Sequence, residues 1–257
     1  MANPRILGLI PARYASTRFP GKPLATIAGR SMVRWVLDRA GASGVFDTLA
    51  VATDDERILQ HVQEGGGRAV MTSPDHVSGT SRCLEAMDIL ARDQGRAWDV
   101  VVNIQGDEPF LDPLDLQRLT LPFAGAGPDI ATLVCPIQRL EELEDPNIVK
   151  AVGGELGQAL YFSRSPIPYL RDLPRERWME QPLFRRHIGI YAFSSLILRE
   201  ICALPPSGAE RAESLEQLRW LAAGYTIRLI GTSAPGPGVD TPADLEKAER
   251  LAARYSA

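Results

Sequence analysis

Three cationic side chains crowd the stretch IPARYASTRFPGKPL at residues 10–24: Arg13, Arg18 and Lys22. An ordinary strand-to-helix turn does not need that much positive charge. Arginine can grip a phosphate through two parallel hydrogen bonds, and lysine acts as a mobile point charge. Gly21 lets backbone N–H groups come close to a ligand. The competing reading is a solvated loop with scattered charges. The stretch contains neither G-x-G-x-x-G nor G-x-x-x-x-G-K-[ST], so it is neither a nicotinamide fingerprint nor a P-loop.

Two acidic motifs lie far away in sequence. Gln105-Gly-Asp107-Glu-Pro109 closes an apolar run, and Gly238-Val-Asp240-Thr-Pro242 precedes a helix start. A carboxylate at the carboxyl end of a buried strand can hold a divalent metal, and Mg²⁺ takes one or two carboxylates plus phosphate oxygens. Taken singly, Asp107 could be a turn residue beside Pro109, and Asp240 an acid placed near a helix start. A basic loop, two carboxylates and no evident nucleophile–base pair together point to nucleotidyl transfer, a chemistry of positioning and charge neutralisation.

These residues need a scaffold that brings them together. Residues 5–11 read as a buried strand and 31–42 as an amphipathic helix with Met32, Val33, Val36 and Leu37 on one side. Strand 49–53, helix 55–65, strand 69–72, helix 80–92 and strand 99–105 follow. Repeated βα units of this kind predict an α/β fold: a Rossmann-like, mostly parallel twisted sheet flanked by helices. In such sheets ligands gather beyond the carboxyl ends of the strands, where all three charged clusters fall. Later the pattern changes to strands at 130–137, 159–163 and 187–193 with few helices between them. Residues 164–183, rich in proline and charge, read as an exposed excursion. Helix 213–223, strand 226–230 and a final helix starting at Thr241-Pro242 complete the chain, with Asp244 at capping-box distance from Thr241. This predicts a single domain over 1–257, built from an alternating part over 1–128, a smaller mixed part over 129–235 and a closing segment over 236–257.

Bulk properties narrow the ligand. The 28 basic and 32 acidic residues give a net charge of −4, which argues against a nucleic-acid polymer as the main partner. Three separated cysteines suit a reducing compartment rather than a disulfide frame. No leader segment precedes the first strand, and no apolar run approaches the roughly 18 residues that span a bilayer. The expectation is a cytoplasmic protein that does not bind membranes.

Seven blocks then resemble one family in order: IPARYASTRFPGKPL, HVSGTSR (76–82), NIQGDEPF (103–110), ALYFSRSPIPY (159–169), RHIGIYAF (186–193), ESLEQLRWL (213–221) and GVDTP (238–242). Over residues 5–250 the chain is similar to the 3-deoxy-manno-octulosonate (KDO) cytidylyltransferases. The resemblance implies transfer of CMP from CTP to KDO with Mg²⁺, release of diphosphate, a homodimer, and a place in lipopolysaccharide inner-core synthesis, with 1–128 mainly binding CTP, 129–235 serving sugar binding and dimerisation, and 236–257 supplying a metal ligand and the closing helix. It implies that Arg13 and Lys22 bind the triphosphate with Arg18 as helper, beside Pro11 and Ala12. Ser78, Gly79, Thr80 and Arg82 would lie near cytosine and ribose, and Gln105 would touch nucleotide or sugar. Asp107 and Asp240 would hold Mg²⁺, Asp240 also facing substrate, and Arg164, His187, Tyr191, Glu216 and Gln217 would surround KDO.

The chemistry of that last set suits an acidic sugar. Arg164, with Arg171 as a second candidate, can pair with the carboxylate, and the others offer donors and acceptors for hydroxyls. The bland readings are a satisfied core histidine at 187, a strand aromatic at 191 and a solvated helix residue at 216. His61 and His76 read as a surface helix residue and a loop residue. Position 81 is Ser where many relatives of this type carry Glu, which loosens the expected placement of Arg82 if that acid orients it. The alternatives are the same chemistry on 8-amino-KDO or another acidic sugar, and a CTP-sensing protein without turnover. Strand 187–193 and the region before it are the expected dimer contact.

Overall fold

The computed structural model describes residues 3–15, 19–125, 127–233 and 236–255. The expected βα alternation is present. Strand β1 (Ile6–Ala12) is followed by a short hairpin, β2 (Thr26–Ile27) and β3 (Arg30–Ser31), and by helix α1 (Met32–Gly41). Then come β4 (Thr48–Thr53), α2 (Glu56–Glu64), β5 (Ala69–Met71), α3 (Gly79–Asp93) and β6 (Val100–Asn103). The second half carries more helices than its sequence pattern shows: α4 (Pro113–Thr120), β7 (Ile130–Pro136), α5 (Leu140–Glu144), β8 (Lys150–Gly153), β9 (Ala159–Ser163), β10 (Arg185–Ser194), α6 (Ser195–Cys202), α7 (Gly208–Glu213), α8 (Gln217–Ala222), β11 (Ile227–Gly231) and α9 (Pro242–Leu251). The start of α4 is marked in the sequence: Asp112 caps it and Pro113 occupies its first position.

The main sheet runs β11-β7-β10-β6-β1-β4-β5. β1 pairs in parallel with β4 and β6, β4 with β5, and β7 with β11. Only β10 runs against this path, antiparallel to both β6 and β7. β8 and β9 branch off β10 as an antiparallel extension. β10, where the dimer contact is expected, is hydrogen-bonded on both sides, to β6 and β7. Strands hydrogen-bonded along one side include β5 at the end of the main sheet and β9 at the end of its extension.

Both faces of the sheet are buried, as a mostly parallel sheet requires. Leu7, Leu9, Val101, Tyr191 and Phe193 pack on one face with residues of α3, α6 and α8. Ile6, Ile10, Val100, Val102, Ile188 and Ile190 pack on the other with α1 and α4. Alternate residues of each strand thus serve opposite cores.

Two departures from the sequence reading matter for the site. The helix expected over 213–223 is broken: Ser214 adopts the left-handed conformation (φ 52°) and ends α7, and α8 restarts at Gln217. Leu215 and Leu218 are still buried, so the leucine spacing that suggested one helix reports a shared core contact. The excursion 164–183 is anchored rather than wholly exposed. It folds a 3-10 turn (Arg175–Glu180) whose Trp178 is buried with Ile137, Leu143 and Phe184.

Candidate active site

The order of strands reverses between β1 and β6, because the chain builds outward from β1 to β4 and β5 and then returns to β6 on the other side. A crevice beyond the carboxyl ends of β1 and β6 is therefore where a ligand should sit. It is there: a cleft of about 420 Å³ lined by Pro11, Ala12, Arg13 and Ala15 after β1, Lys22 and Pro23 from the basic loop, Gln105, Gly106 and Asp107 after β6, and Asp240.

Each cleft residue is placed by a local cause. Gly21 is left-handed (φ 72°), its N–H donates to the Tyr14 carbonyl at 2.9 Å, and it opens the 3-10 turn Lys22–Leu24. The Tyr14 ring lies under this turn and carries the Arg57 guanidinium on its other contact, 3.3 Å from the ring centroid. Gly106 fits tightly against β1, since a Cβ there would stand 3.0 Å from the Pro11 carbonyl oxygen. Arg13 is exposed. Arg18 lies outside the described residues.

The two aspartates meet. The Lys22 ammonium donates to Asp107 Oδ2 at 2.8 Å and to Asp240 Oδ1 at 3.3 Å. Their backbones are also tied, for the Val239 N–H donates to the Asp107 carbonyl at 2.9 Å. Val239 and Phe110, neighbours of the two aspartates in sequence, are buried in one apolar cluster with Ile27, Met32, Trp35 and Ala248 of α9. Gly236 allows the close approach: a Cβ there would lie 2.6 Å from Phe110 Cβ and 3.0 Å from its carbonyl oxygen. The expected capping box of α9, Thr241 with Asp244, is present and fixes the exit of the segment. Beside this pair, burial and then the Asp107 charge push Glu108 up to about 8.

The S-G-T block forms the amino end of α3. Ser78 caps the helix, and Gly79 packs against Pro11, with only 3.1 Å between a hypothetical Cβ and the proline Cγ. Glu216, expected at the sugar, accepts from the Ser78 hydroxyl at 3.0 Å, from the Thr80 hydroxyl at 2.6 Å and from Arg219 at 2.7 Å. It therefore ties the amino end of α3 to the start of α8. Arg82 is turned inward, 1% exposed, and donates to Thr72 Oγ1 at 2.6 Å and to Asp54 Oδ2 at 2.8 Å. Its guanidinium is thus held inside the protein by Thr72 and Asp54. Its anchoring also does not depend on residue 81. Ser81 hydrogen-bonds His76, whose other ring nitrogen reaches Glu85. Asp54 escaped the sequence reading, although it directly follows an apolar strand just as Asp107 follows the β6 run.

On β10, His187 Nε2 lies 3.0 Å from Thr132 Oγ1. The single Thr132 proton goes to the Ile188 or Ile190 carbonyl, at 3.1 and 2.9 Å. The hydroxyl can then only accept from His187, so Nε2 carries the proton and Nδ1 is the bare acceptor. Burial, and secondly Arg186, depress the His187 pKa to about 3, so the ring is neutral. Tyr191 contacts both His187 and Trp220 of α8, with ring centroids 5.3 and 5.1 Å apart. Gln217, on the same helix, is buried. A register shift of β10 between Ile188 and Tyr191 presents the Gly189 carbonyl, which Gln105 Nε2 reaches at 2.7 Å. Gln105, a lining residue of the cleft, is thereby tied to β10. Arg164 stands apart at the end of β9; its Nε and Nη1 donate to the Glu213 and Pro146 carbonyls at 2.7 and 2.9 Å.

A switch-point cleft with a basic loop and two carboxylates around one cation defines a nucleotidyltransferase. Comparison with known proteins is specific. The sequence profile of the cytidylyltransferase family matches residues 7–227. Two curated relatives, the 3-deoxy-manno-octulosonate cytidylyltransferases of Porphyromonas gingivalis and Phocaeicola vulgatus, are 49% and 48% identical over 96% and 95% of this chain and 96% of each relative. A solved CMP:2-keto-3-deoxy-manno-octonic acid synthetase complexed with CTP superposes with a TM-score of 0.88 at 43% identity, covering 97% of this chain and 99% of that one. The 4-diphosphocytidyl-2C-methyl-D-erythritol synthase of Anaerococcus prevotii shares the fold at 13% identity, with a TM-score of 0.63 over 98% of this chain and 99% of that one. The chain belongs to the cytidylyltransferase family, among the 3-deoxy-manno-octulosonate cytidylyltransferases. Among the described residues no helix is long and apolar enough to cross a membrane.

Proposed function

We infer that this protein activates KDO for lipopolysaccharide synthesis by the reaction CTP + KDO → CMP-KDO + diphosphate. The observation that carries the reading is the meeting of Lys22, Asp107 and Asp240, from three distant parts of the chain, in the switch-point cleft. We propose Mg²⁺ as cofactor. The donor set fits it: two carboxylates already converge on one cation, the Lys22 ammonium, and a hard divalent ion would draw its remaining oxygens from the triphosphate and water. Bound there, Mg²⁺ would neutralise phosphate charge and lower the pKa of the attacking hydroxyl.

The chain's own residues do the rest. Arg13 and Lys22 face the triphosphate and stabilise charge growing on the departing diphosphate. The Ser78–Thr80 turn, held by Glu216, shapes the nucleoside side. Gln105 bridges nucleotide and sugar sides. His187 Nδ1 accepts from a sugar hydroxyl, and Gln217 and Tyr191 orient the sugar. The sugar's anomeric hydroxyl then attacks the α-phosphorus in line with diphosphate departure, a direct displacement in which orientation carries much of the rate. Arg164 supplies positive charge toward the sugar carboxylate.

The test is diphosphate release with CTP, KDO and Mg²⁺, run against ATP, GTP and UTP and against 8-amino-KDO in place of KDO. Turnover confined to CTP with KDO is expected. No release with that pair overturns the reading. Binding of CTP without any release favours a sensing protein. We also propose a homodimer formed through the β9 side, where Leu160 and Tyr161 are exposed at the outer strand of the sheet extension. Sedimentation of wild type against Leu160→Glu checks it, with a shift to monomer expected.

A further inference from the structure

We propose that Lys22 occupies the divalent-cation position of the nucleotide-free enzyme, so that metal enters only together with the triphosphate. This rests on the reading of the cleft as a metal-dependent nucleotide site. The Lys22 ammonium stands between the two carboxylates at 2.8 and 3.3 Å, and its side chain is only 15% exposed. A divalent ion bound by Asp107 and Asp240 needs oxygen atoms at about 2.1 Å and six of them in all. An ammonium already bonded to both carboxylates stands on that approach and repels a second cation. Among the described residues no group of three or more His, Cys, Asp or Glu side chains forms a metal site, so the protein side chains do not by themselves outweigh that repulsion.

The triphosphate changes both sides of this balance. Its oxygens complete the coordination shell that two carboxylates leave open. Its negative charge gives the ammonium an alternative partner, and a lysine on a four-carbon stem can turn toward it without moving the backbone. The backbone is in fact fixed, by the left-handed Gly21 and its bond to Tyr14, so only the side chain needs to swing. Lys22 thus has two successive roles: internal counter-ion of the empty cleft, then phosphate ligand of the filled one. The free enzyme keeps the two carboxylates bridged by an internal cation without recruiting metal.

The test is a Mn²⁺ titration of nucleotide-free protein, reading free Mn²⁺ by electron paramagnetic resonance. Wild type should bind Mn²⁺ weakly, and addition of CTP should create one tight site. Lys22→Met should bind Mn²⁺ at least about tenfold more tightly than wild type without nucleotide, about 1.4 kcal/mol. Lys22→Gln should behave likewise, which covers the case in which one variant folds poorly. Adding Asp107→Asn should remove the gain. Equal affinity of wild type and both variants, or a gain that survives Asp107→Asn, overturns the proposal. The wild-type diphosphate assay separates this from the functional reading: normal turnover with no gain in Mn²⁺ affinity sinks the placeholder alone, and a gain without turnover sinks the reaction alone.

Discussion

Gly236→Ala should cripple catalysis although the residue carries no chemistry. The new Cβ would lie 2.6 Å from Phe110 Cβ and 3.0 Å from the Phe110 carbonyl oxygen. Ordinary carbon–carbon contact begins near 3.5 Å, so segment 236–240 or the backbone at 110 must retreat by roughly 1 Å. Both are joined to the aspartate pair: Val239 N–H bonds the Asp107 carbonyl, and Phe110 and Val239 share one buried cluster. The retreat therefore separates Asp240 from Asp107. A displacement of about 1 Å at a reacting centre costs about a hundredfold in rate, roughly 2.7 kcal/mol of barrier. Overpacking should lower stability by about 1–3 kcal/mol as well. The assay is steady-state diphosphate release at saturating CTP and KDO, with thermal unfolding measured in parallel. Gly208→Ala is the control, because a Cβ there meets nothing within 4 Å. If Gly236→Ala keeps kcat within about threefold of wild type while Gly208→Ala behaves normally, the steric link between the Gly236 segment and the aspartate pair is wrong.

Other outcomes follow from the same geometry. Asp107→Ala or Asp240→Ala should lower turnover at least about a hundredfold; near-normal Mg²⁺-dependent turnover in either removes that residue from the metal site. Glu216→Gln weakens charge-assisted bonds to Ser78, Thr80 and Arg219 and should cut kcat/KM for CTP by about tenfold or more; an effect confined to the KM for KDO would assign Glu216 to the sugar alone. Arg82→Met leaves Asp54 beside an empty site in the interior and should destabilise by about 3–5 kcal/mol, with Asp54→Asn in the same chain recovering part of it in urea unfolding. His187 has a folded pKa of about 3 against an ordinary 6.5, so below pH 6.5 the unfolded chain takes up a proton that the folded one refuses. Stability should therefore fall as pH drops from 6.5 toward 3, by about 1 kcal/mol at pH 5.5, and His187→Gln should flatten that slope.

The first half of the fold was readable because each βα unit is local: its apolar period, its cap and its glycine lie within one short window. The strand at 159–163 and the capping box at Thr241 were readable for the same reason. What escaped the sequence depends on partners far along the chain. Nothing around Arg82 announces that Asp54 and Thr72 enclose it. The S-L-E-Q-L run suggests a continuous helix, and the left-handed Ser214 is visible only when Leu215 and Leu218 reach a common core. Glu216 reads as a sugar ligand by motif, yet its oxygens face Ser78 and Thr80 because the turn at Ser214 aims the start of α8 back toward α3. The convergence of Asp107 and Asp240 could be wagered from chemistry. Its cause, the tight passage at Gly236 beside Phe110, could not.

The reversed strand β10 has a consequence for biosynthesis. As the polypeptide leaves the ribosome amino end first, β5, β4, β1 and β6 can assemble from neighbouring segments, but Asn103 must wait for Tyr191. Until then β6 is an open, strongly apolar border, the kind of surface that recruits other nascent chains. Products that stop short of residue 185 would keep that border uncovered, and they should accumulate as insoluble protein while the finished chain does not.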